Sequence, residues 1–155
     1  MKNSHVPVML SEIETYIPFN EEVNIIDATF GGGGYSKSIL EKFNVRHLMA
    51  IDRDPIAKIF AKDLFKMSSN FTFSNECFSK IDEIISANFD KNIKFDTIIY
   101  DLGLSSNQLD NGERGFSFMH DGPLDMGMGN NTKKVSDIIN SYPEEKIANI
   151  VFKYG

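Results

Sequence analysis

Short apolar runs rich in β-branched residues alternate along the chain with segments whose apolar positions recur at helical spacing. This alternation favours a parallel sheet covered by helices on both faces, because each crossover between parallel strands then runs through a helix. The predicted strands are 23–29, 46–51, 71–74 and 95–100. The predicted helices are 8–17, 34–43, 54–65, 79–89, 135–140 and 144–154, the third opened by Asp54 as N-cap and Pro55 as first residue.

The regular pattern is interrupted between residues 102 and 134, where six glycines and little periodicity predict a long polar loop. Loops of this length inside a compact chain are usually functional or disordered. Residues 112–126 combine glycine with aromatic and methionine side chains, which gain nothing from exposure to solvent. Two explanations stay open: a surface that closes over a substrate, or packing against another part of the protein.

Four consecutive glycines, 31–34, separate the first predicted strand from the following helix. A strand, a tight glycine turn and a helix form the layout that holds a nucleotide-like cofactor against backbone N–H groups. Asp52 ends the second strand about 20 residues further on, where an acidic residue meets a ribose hydroxyl pair. The turn and Asp52 together predict a cofactor site, against the alternative of a flexible surface loop.

The carboxyl ends of the predicted strands bring Asp27, Asp52, residues 75–78 and Asp101 to one rim of the sheet. Neighbouring carboxylates repel one another unless a cation or hydrogen-bond donors lie among them. A sulfonium cofactor with an amine and ribose hydroxyls would supply both. Asp27 either faces this site or only braces the turn, Phe78 either stacks on an adenine or belongs to the core, and Asp101 either binds a ligand or caps a turn.

Charge, composition and missing motifs exclude several classes of function. The net charge of −6 argues against a free-standing nucleic-acid binder but leaves room for an RNA-modifying enzyme with a local basic surface. Cys77 is the single cysteine, and His5, His47 and His120 lack the spacing of metal ligands, so no metal site is expected. We find neither a phosphate-binding G-K-[ST] nor a hydrolase G-x-S-x-G. Without a signal peptide or a membrane-length apolar stretch, the expected location is the cytoplasm.

Six segments spread along the chain carry a family signature: His5-Val-Pro-Val-Met-Leu, Asp27-Ala-Thr-Phe-Gly-Gly-Gly-Gly-Tyr-Ser, Ile51-Asp-Arg-Asp-Pro, Phe78-Ser, Asp101-Leu-Gly-Leu-Ser-Ser-Asn-Gln-Leu-Asp and Glu113-Arg-Gly-Phe-Ser-Phe-Met-His-Asp-Gly-Pro-Leu-Asp-Met. On these segments the chain resembles the bacterial 16S ribosomal RNA (cytosine-N4)-methyltransferases, the RsmH or MraW family. The last two segments are the most specific. Many members carry His in place of Tyr35 and Arg in place of Gly127. The first change keeps a polar aromatic group, and the second removes a phosphate contact.

The resemblance implies a Rossmann-like class I methyltransferase core with a parallel sheet in the order 3-2-1-4. It implies transfer of a methyl group from S-adenosyl-L-methionine to N4 of a decoding-site cytosine of 16S ribosomal RNA in the small ribosomal subunit. Asp101 would be the catalytic acceptor for the amine hydrogens, or would only hold the cofactor. The cofactor contacts implied by the resemblance are Gly33, Gly34, Tyr35, Asp52, Phe78, Asp101 and Gln108.

Family members are about twice as long as this chain, with a helical domain inserted in the middle. The resemblance therefore implies a cofactor-binding core over 1–110, and a loop with the start of a helical substrate-recognition insertion over 111–155. As an N-terminal part, the chain is expected to expose strand 95–100 as an edge, to aggregate or fold poorly, and to be inactive alone. Its oligomeric state, a dimer included, stays open.

Two other classes of function remain as alternatives. A NAD-dependent Rossmann oxidoreductase shares the glycine turn and Asp52, although the chain lacks a Tyr-x-x-x-Lys pair. A non-catalytic remnant or interaction module is the second, suggested by the short length. Cofactor titration separates the first alternative from a methyltransferase, and a methyl-transfer assay separates the second.

Overall fold

The computed structural model describes residues 6–129 and 133–155. The chain forms two compact units, one ending at Ser105 and one running from Ser106 to Gly155. The elements of the first unit are α1 (Leu10–Glu14), β1 (Val23–Asp27), α2 (Gly34–Lys42), β2 (Val45–Ile51), α3 (Ala57–Met67), β3 (Phe71–Ser74), α4 (Ile81–Asn88) and β4 (Thr97–Ile99), with a 3₁₀ turn at Phe78–Lys80. The second unit contains α5 (Ser106–Asp110), a 3₁₀ turn at Gly112–Arg114, α6 (Val135–Ser141) and α7 (Glu144–Tyr154).

The four strands form one parallel sheet in the order β3-β2-β1-β4, which confirms the predicted topology. The central strands β1 and β2 are apolar on both faces, as expected for a parallel sheet with helices on each side. Ile25 and Ile26 of β1 are fully buried, and so are Leu48 and Met49 of β2. This is the α/β, Rossmann-like arrangement that the alternation of strands and helices predicts.

The hydrophobic core has two layers, one on each face of the sheet, because successive side chains of a strand point to opposite faces. Ile25 and Leu48 face the layer that includes Ile39 of α2 and Leu64 of α3. Their neighbours face the other layer, where Ile84 of α4 packs. Burial on both faces fixes the register of β1 and β2, because a slip by one residue would exchange the two layers.

Several predicted boundaries are wrong. The lead-in helix is five residues long, because Met9 takes a left-handed conformation (φ 52°) and the helix begins only at Leu10. Asp54 is not the N-cap of α3, which begins at Ala57. The carboxylate of Asp54 instead accepts the backbone N–H of Ile56 (3.2 Å) in a turn that precedes the helix. The predicted continuous loop 102–134 contains α5 and a 3₁₀ turn.

The second unit folds its glycine-rich segment tightly. A Cβ at Gly115 (φ +70°) would overlap the carbonyl oxygen of Pro123, and one at Gly122 would overlap that of Gly112. The guanidinium of Arg114 donates to the carbonyl oxygen of Gly127 (2.7 Å). Glycine is therefore required here for close backbone packing within the second unit. The functional division proposed after residue 110 stays a prediction.

No helix in the described parts of the chain is long and apolar enough to cross a membrane.

Candidate functional site

The turn between β1 and α2 depends on glycine at defined positions. Gly31 (φ +54°) and Gly33 (φ +80°) both have left-handed backbones. A Cβ at Gly33 would lie 2.7 Å from Cζ of Phe30, and one at Gly34 would overlap the ring of Pro7. Gly34 opens α2, so its N–H belongs to the first helical turn, whose donors have no partner within the helix. Such donors beside a glycine turn can bind an anionic or polar ligand group.

Asp52 ties this turn to the end of β2. Its Oδ2 accepts the backbone N–H of Gly31 (2.6 Å), and its Oδ1 accepts that of Asp54 (2.8 Å). Burial raises the pKa of the Asp52 carboxyl, and the two N–H bonds oppose that rise. Each carboxylate oxygen still has lone-pair capacity for a ligand hydroxyl. The structure therefore places Asp52 beside the glycine turn, as the spacing predicted.

Asp27 is fully buried and does not reach the rim, so the expectation of three carboxylates on one solvent-facing rim is wrong. Its Oδ2 accepts the hydroxyl of Ser36 (2.6 Å), and its Oδ1 accepts the N–H of Thr29 (3.3 Å). Burial raises the pKa of Asp27 to about 6, against the lowering effect of these hydrogen bonds. The alternative in which Asp27 braces the turn is confirmed.

Asp101 follows β4 and is exposed. Its backbone N–H donates to the hydroxyl oxygen of Thr29 (2.7 Å), so its main chain is tied to the end of β1. Phe78 opens the 3₁₀ turn that follows β3, and it is 36% exposed and therefore not a core residue. Its ring packs edge-to-face on Tyr100, with centroids 5.5 Å apart. An exposed aromatic face at this position suits stacking on a planar ring.

Tyr35 and Gln108, two of the cofactor contacts that the resemblance implies, both have buried side chains. The side chain of Tyr35 is 4% exposed, and its hydroxyl donates to the carbonyl oxygen of Val8. Burial raises the pKa of the Tyr35 phenol. Gln108 is buried within α5 of the second unit. The proposed contact of Tyr35 with a cofactor is therefore best assigned to its backbone N–H at the start of α2.

Sequence reasoning assigned no contact to three polar residues that hold the site together, although one of them, Asn75, lies in the segment 75–78 that was predicted at the rim. Thr29 bonds to both Asp27 and Asp101, and Ser36 bonds to Asp27, as described above. Asn75 donates its side-chain amide to the carbonyl oxygen of Asp52 (2.7 Å), joining the ends of β3 and β2. The available signal is their position: each follows a strand end or opens a helix, where polar side chains commonly satisfy backbone groups.

A cleft of about 810 Å³ lies at the amino ends of the strands, on the side of the sheet away from the glycine turn. Asn24, His47 and Asp96 are among its lining residues. Open parallel sheets bind ligands at the carboxyl ends of their strands. The candidate site therefore remains at the carboxyl ends of the strands, beside the glycine turn, and not in this cleft. Among residues 6–129 and 133–155, no group of three His, Cys, Asp or Glu is placed to hold a metal ion.

An open parallel sheet with a glycine turn after β1 and a carboxylate at the end of β2 defines the class of α/β proteins that hold a nucleotide-like cofactor at the carboxyl edge. The family described as the MraW methylase family matches residues 2–155, and the chain belongs to it. Membership of this family narrows the class of protein from cofactor-binding α/β proteins to methyltransferases.

Relatives from three bacteria carry the name ribosomal RNA small subunit methyltransferase H. The protein of Rhodospirillum rubrum is 40% identical over 97% of this chain and 46% of its own length. That of a Wolbachia strain from Drosophila simulans is 43% identical over 98% of this chain and 52% of its own. That of Orientia tsutsugamushi is 40% identical over all of this chain and 48% of its own. The chain thus spans about half the length of the curated relatives it matches.

Proposed function

We propose that the chain is the cofactor-binding part of an S-adenosyl-L-methionine-dependent methyltransferase that modifies N4 of a decoding-site cytosine in 16S ribosomal RNA. One observation carries the proposal: the Asp52 carboxylate lies 2.6 Å from the N–H of Gly31, beside the turn that opens α2. The names of the relatives support ribosomal RNA of the small subunit as the substrate. Family membership supports the methyl-transfer chemistry.

Each proposed contact residue of the first unit would bind a different chemical group of the cofactor. The backbone N–H groups of Gly34 and Tyr35 would donate to polar atoms beside the turn. Gly33, whose own N–H donates to the carbonyl oxygen of Phe30 (2.7 Å), would let the ligand approach its bare backbone. Asp52 would accept from the ribose hydroxyls, and charge-assisted hydrogen bonds of this kind are about twice as strong as neutral ones. Phe78 would stack on the adenine ring. Asp101 completes the set of contacts proposed within the first unit.

Electrostatics favour a cationic cofactor. S-adenosylmethionine supplies an electrophilic methyl group on a positively charged sulfur. The Asp52 and Asp101 carboxylates lie at the ends of β2 and β4, on the same edge of the sheet. Their negative charges would lower the free energy of a cation at this edge, and the partial burial of Asp52 would strengthen the attraction by lowering the local dielectric constant.

Asp101 is the residue we assign to the reacting amine. The exocyclic amine of cytosine is a weak nucleophile because its lone pair is delocalised into the ring. A carboxylate that accepts an amine hydrogen localises the lone pair and orients it toward the methyl carbon. The Asp101 carboxylate would take up the proton that the amine loses as its nitrogen bonds to the transferred methyl carbon, while the electron pair of the broken C–S bond would stay with the cofactor's sulfur. The cytosine must first leave its stack, at a cost of a few kcal/mol.

Calorimetric titration tests the cofactor. S-adenosylmethionine should bind saturably and NAD should not. Asp52→Asn should weaken binding by about 10- to 100-fold, the loss expected when a charged hydrogen-bond acceptor is removed. Asp63→Asn is the matched control, because Asp63 is exposed on α3 and pairs only with nearby Lys66 among the contacts described. NAD binding would instead support an oxidoreductase.

A transfer assay tests the substrate. The chain is incubated with undermethylated small ribosomal subunits and a methyl donor labelled on the transferred carbon. Label on a 16S cytosine, lost in Asp101→Asn, supports the proposed role of this carboxylate. Cofactor binding without transfer agrees with the expectation that the chain alone is inactive, and absence of both binding and transfer supports a non-catalytic module. Unchanged affinity and turnover in Asp101→Asn would remove Asp101 from the proposal.

A further inference from the structure

The loops that follow the four strands are joined in series, with one side chain at each junction. Asn75 joins the end of β3 to that of β2 through the carbonyl oxygen of Asp52 (2.7 Å). Asp52 joins the end of β2 to the glycine turn after β1 through the N–H of Gly31 (2.6 Å). Thr29 joins the end of β1 to that of β4 through the N–H of Asp101 (2.7 Å). Each junction therefore fixes a main-chain segment of the proposed site.

The junction at Thr29 lies where the backbone ladder between β1 and β4 ends. The N–H of Ala28 donates to the carbonyl oxygen of Ile99 (2.9 Å), and regular pairing ends at Asp27 and Ile99. Two residues beyond the end of β4, the N–H of Asp101 donates to the Thr29 hydroxyl oxygen instead of a carbonyl oxygen. β4 is three residues long, so the ladder itself gives Asp101 little support.

Thr29 is itself held at its backbone. Its N–H donates to the Oδ1 of Asp27 (3.3 Å), a carboxylate that is fully buried and also receives the Ser36 hydroxyl (2.6 Å). The path from Ser36 through Asp27 and Thr29 to Asp101 runs from the start of α2 to the exposed edge. A hydroxyl placed by a buried network is a more rigid acceptor than one on a free loop.

We propose that Thr29 is a positioning residue whose hydroxyl sets the backbone of Asp101, and with it the direction of the Asp101 carboxylate. The role rests on the proposed function, because it serves the residue assigned there to the cytosine amine. A carboxylate exposed at a loop start takes its direction from the main chain that carries it. Displacement by about 1 Å is enough to lower the efficiency of an oriented reaction severely.

Two substitutions separate the hydroxyl from the shape of the side chain. Thr29→Val keeps the branched outline and removes the acceptor, whereas Thr29→Ser keeps the acceptor and removes a methyl group. Thr72→Val on β3 is the matched control for the loss of a hydroxyl from a strand. Urea midpoints of all variants show whether the fold is retained.

Hydrogen exchange of the Asp101 amide is the first readout, measured by mass spectrometry with fragmentation to single residues. We expect exchange at Asp101 about 3- to 10-fold faster in Thr29→Val, since one hydrogen bond of ordinary strength is lost. Thr29→Ser and Thr72→Val should leave it unchanged. Unchanged exchange in Thr29→Val, or equal acceleration in the Val and Ser variants, would overturn the proposal.

Cofactor affinity is the second readout. The dissociation constant for S-adenosylmethionine should rise about 3- to 10-fold in Thr29→Val and recover in Thr29→Ser. Faster exchange with unchanged affinity would refute a positioning role in binding. If the unsubstituted chain does not bind S-adenosylmethionine, the proposed function fails, whereas exchange at Asp101 still decides whether Thr29 holds this residue.

Discussion

Asp27 is a carboxylate that the fold encloses completely, and replacing it with asparagine tests the electrostatic cost of bracing the glycine turn. Its hydrogen bonds come from the Ser36 hydroxyl and the Thr29 N–H. An asparagine can keep the contacts with the Thr29 N–H and the Ser36 hydroxyl, with its carbonyl oxygen toward Thr29 and its amide toward the Ser36 hydroxyl oxygen. The backbone N–H of Ser36, which also lowers the pKa of Asp27, would lose its carboxylate acceptor in the folded variant at acidic and neutral pH alike. Asp27→Asn therefore removes the ionisable group with little change in shape.

The magnitude follows from the displacement of the Asp27 pKa. Burial raises the pKa from 3.8 to about 6, a shift of about 2 units, and each unit is worth about 1.4 kcal/mol, or about 3 kcal/mol in total. Between these two pH values the folded chain binds more protons at Asp27 than the unfolded chain does. The free energy of unfolding therefore falls as pH rises from about 4 to about 6 and is level above that range.

Urea unfolding followed by far-ultraviolet circular dichroism, at low protein concentration across this pH range, measures the effect. The stability difference between Asp27→Asn and the unsubstituted chain should grow in favour of the variant by about 3 kcal/mol as pH rises through this range. Asp63→Asn serves as the control, because Asp63 is exposed and should leave the pH profile nearly parallel to that of the unsubstituted chain. Parallel profiles for Asp27→Asn would show that Asp27 does not titrate in this range, and the reasoning would be refuted.

Two further pairs of substitutions test the glycine turn and the sheet edge. Gly33→Ala should lower the free energy of unfolding by about 2–5 kcal/mol, since it adds a left-handed alanine and a contact with the buried ring of Phe30. Gly31 also has a left-handed backbone but has room for a Cβ, so Gly31→Ala should lower the free energy of unfolding by only about 1–2 kcal/mol. Equal urea midpoints for the two variants would contradict the proposed contact with Phe30. Ile98→Lys should reduce self-association in sedimentation experiments, because a charge blunts the free edge of β4. Ile59→Lys on exposed α3 is its control, and an equal reduction by both would assign the effect to net charge alone.

Local signals were strong enough to predict some elements to the residue. β3 spans Phe71–Ser74 and α7 spans Glu144–Tyr154, both as predicted. β3 is bounded by polar residues on both sides, and α7 follows Pro143, so composition marks the ends. The five-residue α5 was missed because a single turn is too short to show helical periodicity, and α1 was overestimated because Met9 turns the chain before the helix begins.

In the candidate site, too, features encoded locally in the sequence were predicted, and contacts that depend on the fold were not. Asp52 was placed correctly because its distance from the glycine turn and its position at a strand end are both properties of the sequence. The contacts of Thr29 and Asn75 depend on the register between neighbouring strands, which sequence patterns alone do not specify. The burial of Asp27 was equally inaccessible, since it requires knowing that α2 brings Ser36 against the end of β1.

The glycine turn is held from three directions, and this rigidity bears on how it binds a ligand. The ring of Phe30 packs against Gly33, the ring of Pro7 against Gly34, and the Asp52 carboxylate accepts the N–H of Gly31. A turn fixed in this way presents its backbone donors in one arrangement before any ligand arrives. Binding then costs little ordering of the chain, so more of the interaction free energy appears as affinity. The same restraint explains why a side chain is excluded at Gly33 and Gly34, where the rings of Phe30 and Pro7 already occupy the space.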